Sequence, residues 1–316
     1  MPRIEICPMR SNRSDMPVAM LRILFGVVVG LGGCGVPERD SGAQPDAPGD
    51  GSQDGCQLDL LYSGAPGTDG AWGTADDPII KRTVMSFDGA GLRRTSIAYE
   101  AGPDGTWKTG DDVIVSVELT DFESPFERPA QTLAYDDAGP DGIWKTNDDH
   151  ARSRMSLTYD QGRMVDQTSY MDPGADATWS TSDDKISSWG SFANFVTDAQ
   201  PGESRFHRDP GPDMTWGNPD DPIDALFEYD WQVPALFLRL FHHRGPGPDS
   251  VWGTQDDEIG SRADYECDGG ELFKLTVYSD PGTDGLWGTV DDQVSSVQAL
   301  RFVNSCAFNP CTAIIL

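Results

Sequence analysis

One pattern, G-x-D-x-x-W-x-x-x-D-D, returns seven times along this chain and limits its fold more than any other feature. The copies run from Gly67 to Asp77, Gly102 to Asp112, Gly139 to Asp149, Gly174 to Asp184, Gly211 to Asp221, Gly247 to Asp257 and Gly282 to Asp292, and are called loops 1 to 7 below. Their tryptophans, Trp72, Trp107, Trp144, Trp179, Trp216, Trp252 and Trp287, stand 35, 37, 35, 37, 36 and 35 residues apart. A period held this closely marks one structural unit repeated in tandem.

Between successive loops lie about 24 residues, which in the clearest units divide into two alternating segments around a short turn. Ile259, Ser261, Ala263, Tyr265 and Cys267 share one face, Gly260, Arg262, Asp264 and Glu266 the other, before Asp268-Gly269-Gly270 and a second segment from Glu271 to Ser279. That is a β-hairpin. Val113, Val115, Val117 and Leu119 alternate likewise, as do Met155, Leu157 and Tyr159, and no stretch after residue 55 has a helical period. The expected fold is therefore all-β: tandem antiparallel β-hairpins, about 14 strands, in a curled or closed array. Leu58 to Tyr62 and Val294 to Val303 are lone first and last strands whose pairing would close it. A seven-bladed, propeller-like ring is the alternative, although a blade normally takes four strands in about 40 residues.

The loops carry the chemistry. Their third, tenth and eleventh positions are Asp69, Asp76 and Asp77; Asp104, Asp111 and Asp112; Asp141, Asp148 and Asp149; Asp176, Asp183 and Asp184; Asp213, Asp220 and Asp221; Asp249, Asp256 and Asp257; and Asp284, Asp291 and Asp292. With Glu100, Asp137, Asp172, Asp209 and Asp280 just ahead of five loops, they hold half of the chain's 52 acidic residues. Two unit charges about 5 Å apart repel by roughly 0.8 kcal/mol even in bulk water, so such crowding calls for a counterion. Calcium, which takes six to eight oxygens in a flexible shell, is the expected cofactor, with these 21 aspartates as its candidate ligands. The competing reading is that Asp and Thr side chains cap turns through backbone N–H groups, with Trp plugging each loop onto the sheet. Gly follows the first Asp in loops 1, 2, 3 and 7, while Ala177, Met214 and Ser250 replace it elsewhere. A left-handed backbone is therefore not expected to be obligatory there, and loops 1, 2, 3 and 7 are expected to be the better metal sites and loop 4 among the poorer.

The net charge of −29 excludes nucleic acid and an anionic membrane surface as direct ligands and favours cations. His150, His207, His242 and His243 hold unrelated positions and form no spaced metal or nucleophile motif, so no enzyme is expected. A Trp beside acidic acceptors repeated seven times would suit a multivalent carbohydrate-binding protein, the second reading of function. A hydrolase using the paired carboxylates is a distant third.

At the N-terminus, the apolar run Ile23 to Leu31, preceded by Arg22, has the layout of an export signal and is too short to span a bilayer. Translation starting at Met16 or Met20 would shorten its basic region. Residues 35–55, rich in Gly, Pro, Asp and Ser, form a tether that cannot bury enough surface to order. The expected domains are a signal peptide (1–33), a disordered tether (34–55) and a seven-repeat β domain (56–316). Cys56, Cys267, Cys306 and Cys311 remain in the exported part, an even number that suggests two disulfides of open connectivity.

Three resemblances bear on this. Leu31-Gly32-Gly33-Cys34 resembles the lipobox of bacterial lipoproteins, which implies lipidation at Cys34, anchoring to a membrane and a place in the cell envelope, at the outer membrane or cell surface. Phe87-Asp88-Gly89-Ala90-Gly91-Leu92 and Tyr159-Asp160-Gln161-Gly162-Arg163 resemble the turns of YD repeats of Rhs and teneurin-type shells, which implies a curled antiparallel sheet and no particular activity. The acidic loops resemble calcium-binding Asp-Gly loops of EF-hand and thrombospondin type 3 repeats, although the D-x-D-x-D-G order is missing. Together they imply an exported, lipid-anchored surface protein of structural or adhesive role, with a cell-surface protein or glycan as partner.

Overall fold

The computed structural model describes residues 57–304 apart from 72–73, 89, 124–127, 147, 197–199, 233–236 and 269–271. The expected signal, tether and lipidated Cys34 lie outside the described residues, as do Cys56, Cys306, Cys311 and the side chain of Cys267, and with them the disulfides.

Fourteen strands follow one another: β1 (Gln57–Ser63), β2 (Ile79–Phe87), β3 (Arg93–Glu100), β4 (Val113–Phe122), β5 (Pro129–Tyr135), β6 (Ala151–Asp160), β7 (Arg163–Asp172), β8 (Lys185–Ala193), β9 (Glu203–His207), β10 (Ala225–Gln232), β11 (Phe237–Gly245), β12 (Glu258–Asp268), β13 (Leu272–Asp280) and β14 (Gln293–Asn304). Each pairs antiparallel with its sequence neighbours. The two end strands also pair, from Leu58↔Asn304 to Ser63↔Ala299, so the sheet closes into a barrel with no free edge. The separate blades of a propeller do not form, because each unit has only two strands to contribute and both are spent on one continuous sheet.

Register decides what fills the barrel. Phe206 pairs with Ala225, Phe227 with His242, Leu240 with Ala263 and Tyr265 with Leu275, all on one face, and that face carries the buried apolar cluster. The opposite face is exposed away from the loops, at Thr158, Asp160, Glu228 and Asp230, so the apolar face is the lumen. The lumen is two-sided. From β6 to β13 it is packed with groups such as Leu157, Phe192 and Leu275, whereas β2 to β5 present Thr83, Ser96, Thr120 and Thr132. On β4 the valine alternation points outward: Val117 pairs with Ile97 while Ser116 pairs with lumenal Ala98. The buried Arg94 donates to Thr120 Oγ1 at 3.2 Å, and Thr120 and Thr132 hydroxyls sit 3.1 Å apart.

Chain direction alternates, so the short hairpin turns collect at one end and all seven long loops at the other. At the β6–β7 turn Gln161 (φ 51) and Gly162 (φ 85) take the left-handed pair that a two-residue hairpin needs. At the loop end the register shifts beside Ser63, Tyr99, Tyr135, Tyr170, His243 and Tyr278. These bulges bend the strand ends at six of the seven loops, the pairing beside loop 5 running without a shift.

Candidate functional site

Seven acidic loops at a single rim form the candidate site, and six of them share one set of bonds, with loop 5 departing at Asn218. The first Asp closes an Asx turn: Asp69 Oδ1 accepts from Ala71 N at 2.8 Å, Asp104 from Thr106 at 2.7 Å, Asp249 from Val251 at 2.7 Å and Asp284 from Leu286 at 2.8 Å. Asp141, Asp176 and Asp213 do the same. The tenth position reaches back. Asp111 Oδ2 accepts from Asp104 N at 3.2 Å while its Oδ1 accepts from Thr109 Oγ1 at 2.6 Å, and Asp76, Asp148, Asp183, Asp256 and Asp291 repeat both bonds. Those Thr hydroxyls, helped by the backbone N–H groups, hold these six carboxyls below the usual carboxylate range. The eleventh position turns inward: Asp112, Asp184 and Asp292 Oδ2 each accept at 2.9 Å from the amide four residues earlier, of Lys108, Ser180 and Gly288.

Two glycine positions behave differently for a steric reason. A Cβ on the first Gly would lie 2.1–2.6 Å from the tenth-position Asp, for example 2.2 Å from Asp111 O at Gly102, so that Gly recurs in all seven loops. After the first Asp a Cβ meets nothing within 4 Å at Gly70, Gly105, Gly142 or Gly285. The backbone is nonetheless left-handed in every copy, including Ala177 (φ 54), Met214 (φ 61) and Ser250 (φ 59), which corrects the expectation drawn from their side chains. Open space admits the residue, and the chain absorbs the strain.

The six described loop tryptophans are half-buried. Trp107 Nε1 donates to Ile79 O at 3.3 Å and Trp179 Nε1 to Ala151 O at 3.2 Å, each acceptor lying two residues past the preceding loop. In loops 2 and 4 the Trp thus ties its loop to the start of the strand that follows the preceding loop.

Sequence reading missed the groups that face the eleventh-position Asp. Arg82, Arg154 and Arg262 stand 30 residues before Asp112, Asp184 and Asp292 and pair with them, Arg82 at 3.5 Å and Arg154 at 2.9 Å. Each guanidinium lies over a cross-strand tyrosine, with 5.1 Å to the Tyr99 ring, 4.0 Å to Tyr170 and 3.9 Å to Tyr278. The common offset of 30 residues was the available signal. In loop 6 the neighbour is His243, 3.9 Å from Asp257 Oδ2. In loop 5, Asn218 replaces the Thr and donates instead to Asp213 Oδ2 at 3.0 Å and Thr215 O at 2.8 Å, leaving Asp221 Oδ1 buried with no donor.

Loops 1 and 3 differ. The matching hairpin pairs are Ser63↔Ala299 and Val117↔Tyr135, four uncharged residues. In these two loops the carboxylates of Asp69, Asp76 and Asp77, and of Asp141, Asp148 and Asp149, offer oxygens within 4.8 Å of one another. Beside Asp77, a cavity of about 20 Å³ is lined by Leu61, Ser63, Thr74, Ala75, Ile79 and Ala299. Three carboxylates are a hard-oxygen donor set that suits calcium, and an oxygen accepting one N–H keeps a second lone pair.

No protein-family model and no curated protein matches this sequence. Among solved structures, a protein with unknown function from Bacteroides fragilis aligns at a TM-score of 0.31 and 8% identity, over 45% of this chain and 91% of its own. A porin-like protein from Bacteroides uniformis aligns at 0.34 and 10%, over 78% of this chain and 95% of its own. At such scores nothing about this chain's role follows from the likeness.

Proposed function

We propose that this is an exported, lipid-anchored envelope protein whose barrel displays seven acidic loops as an attachment surface, with calcium held at loops 1 and 3. The observation that carries the reading is the placement of all seven loops at one rim, which concentrates the acid of the chain in one field. Calcium at loops 1 and 3 is supported by the three carboxylates that converge in each of them. The remaining role of the Asp residues is structural. No catalytic role is assigned. Carbohydrate binding gains nothing from tryptophans that are half-buried, two of them with the indole N–H held by backbone.

The test is thermal unfolding in excess EDTA, in calcium and in magnesium, for the native chain and for Asp76→Asn/Asp148→Asn. A ligand at about a hundredfold excess over its Kd stabilises by about 2.7 kcal/mol per site, so the native chain should gain several degrees in calcium and the variant little. Equal melting in all three conditions would end the metal reading. Lipidation is read separately, by incorporation of labelled fatty acid that Cys34→Ala abolishes.

A further inference from the structure

The apolar residues at the loop tips are unevenly placed. Met214 in loop 5 is 77% exposed, Val251 in loop 6 is 55%, and Leu286 and Val290 in loop 7 are 63% and fully exposed. At the residue before the Trp, loops 6 and 7 carry Val251 and Leu286 and loop 3 carries Ile143, 61% exposed, whereas loops 1, 2, 4 and 5 carry Ala71, Thr106, Thr178 and Thr215; loop 5 places its apolar side chain one residue earlier, at Met214. Loops 5, 6 and 7 are neighbours on the rim, each two strands or about 10 Å from the next, so these side chains stand in a row along one arc. Met214 occupies a left-handed position that four sister loops fill with glycine, and its side chain packs on nothing that would repay the strain. Between the tips stand exposed Asp213, Asp249 and Asp284, and no Lys or Arg occurs within these three loops, whereas loops 2 and 3 carry Lys108 and Lys145.

We infer that the arc of loops 5 to 7 docks a cationic amphipathic polypeptide surface, in which Lys or Arg side chains surround small apolar ones. This rests on the rim being an attachment surface and names its partner's chemistry. The apolar tips enter the partner while the carboxylates face its ammonium and guanidinium groups, which steers the encounter and excludes acidic partners. Solvated carboxylates alone would attract any cation. The row of aliphatic tips is what selects a polypeptide.

The test uses the full chain in detergent and a short Leu-Lys amphipathic peptide, with Ser-Lys and Leu-Glu versions as controls, read by fluorescence anisotropy at low and high salt. The Leu-Lys peptide should bind best and lose affinity in salt. Met214→Gly/Leu286→Ser should weaken it by about tenfold, worth about 1.4 kcal/mol, with Ile143→Ser on loop 3 as the unaffected control. Met214→Gly relieves strain, so weakened binding with an unchanged or raised Tm separates docking from misfolding. Equal binding of the Ser-Lys peptide, or equal loss in Ile143→Ser, would overturn the arc and leave an acidic rim that attracts cations generally. No binding by any peptide would overturn the attachment reading too, while melting in calcium still reports on loops 1 and 3.

Discussion

Arg154 Nη2 lies 2.9 Å from Asp184 Oδ2, with the two side chains 10% and 1% exposed, and its guanidinium rests 4.0 Å from the centre of the Tyr170 ring. The pair spans 30 residues and fastens loop 4 to the hairpin before it. Removing one member strands a buried charge. Arg154→Met should destabilise the barrel by about 3–5 kcal/mol, and the double variant Arg154→Met/Asp184→Asn should recover most of that. Urea unfolding at neutral pH measures both together with Asp184→Asn alone, and a double loss equal to the sum of the two single losses would show that the pair is not coupled.

Ala177 holds φ 54 where loops 1, 2, 3 and 7 have glycine. Ala177→Gly should stabilise the chain by about 1 kcal/mol, because the gain from relieving a left-handed alanine outweighs the added unfolded-state entropy. Gly105→Ala, at φ 65, should cost a similar amount. Paired thermal melts check the two signs, and a destabilising Ala177→Gly would contradict the account.

Asp221 Oδ1 has no donor, whereas the same oxygen of Asp112 and Asp184 lies 3.5 Å and 3.3 Å from the hydroxyls of Thr109 and Thr181 and takes a minor share of the one proton each gives chiefly to Asp111 and Asp183. Asn218→Thr should supply that hydroxyl. The expected gain is about 1 kcal/mol, less whatever Asn218 loses in its own two bonds, measured as a shift in the urea midpoint.

His242 stacks on Phe227 with ring centres 4.9 Å apart, and burial pushes its pKa down to about 4, with His243 adding repulsion. The folded value lies below the unfolded one, about 6.5, so the unfolded chain binds the proton first. Stability from this residue is therefore fully present above about pH 6.5 and is lost as pH falls toward about 4, by up to about 3 kcal/mol. His242→Phe should flatten the stability profile across that window, and an unchanged slope between pH 7 and 5 would assign the loss to other groups.

The pH behaviour of the loop carboxyls runs the same way lower on the scale. Thr hydroxyls keep Asp111, Asp148 and Asp183 below their ordinary values, so the contribution of these caps is present above about pH 4 and disappears below it. Tryptophan fluorescence during an acid titration should report the loops loosening below about pH 4, with Thr109→Val moving loop 2 to higher pH. A loop 2 transition that Thr109→Val leaves in place would show that its hydroxyl does not set it.

Much of this architecture was legible in the residues alone. A strict period fixes a repeated unit, alternation fixes strands, and lone strands at the two ends leave closure as the way to remove two edges; β1 and β14 do pair, from Leu58↔Asn304 onward. The steric need for Gly102 and its equivalents is written in their recurrence. Two things were decided only by tertiary structure. Which face of β4 lines the lumen depends on register across the whole barrel, and register turns Val117 outward and Thr120 inward against its apolar alternation. Which loops find an organic cation depends on what the neighbouring hairpin sets beneath the eleventh position. Arg82, Arg154 and Arg262 arrive there from 30 residues away, whereas Ala299 reaches loop 1 only because the barrel closes. Local sequence sets each loop's own hydrogen bonds, but the electrostatic fate of its carboxylates is set by long-range strand pairing.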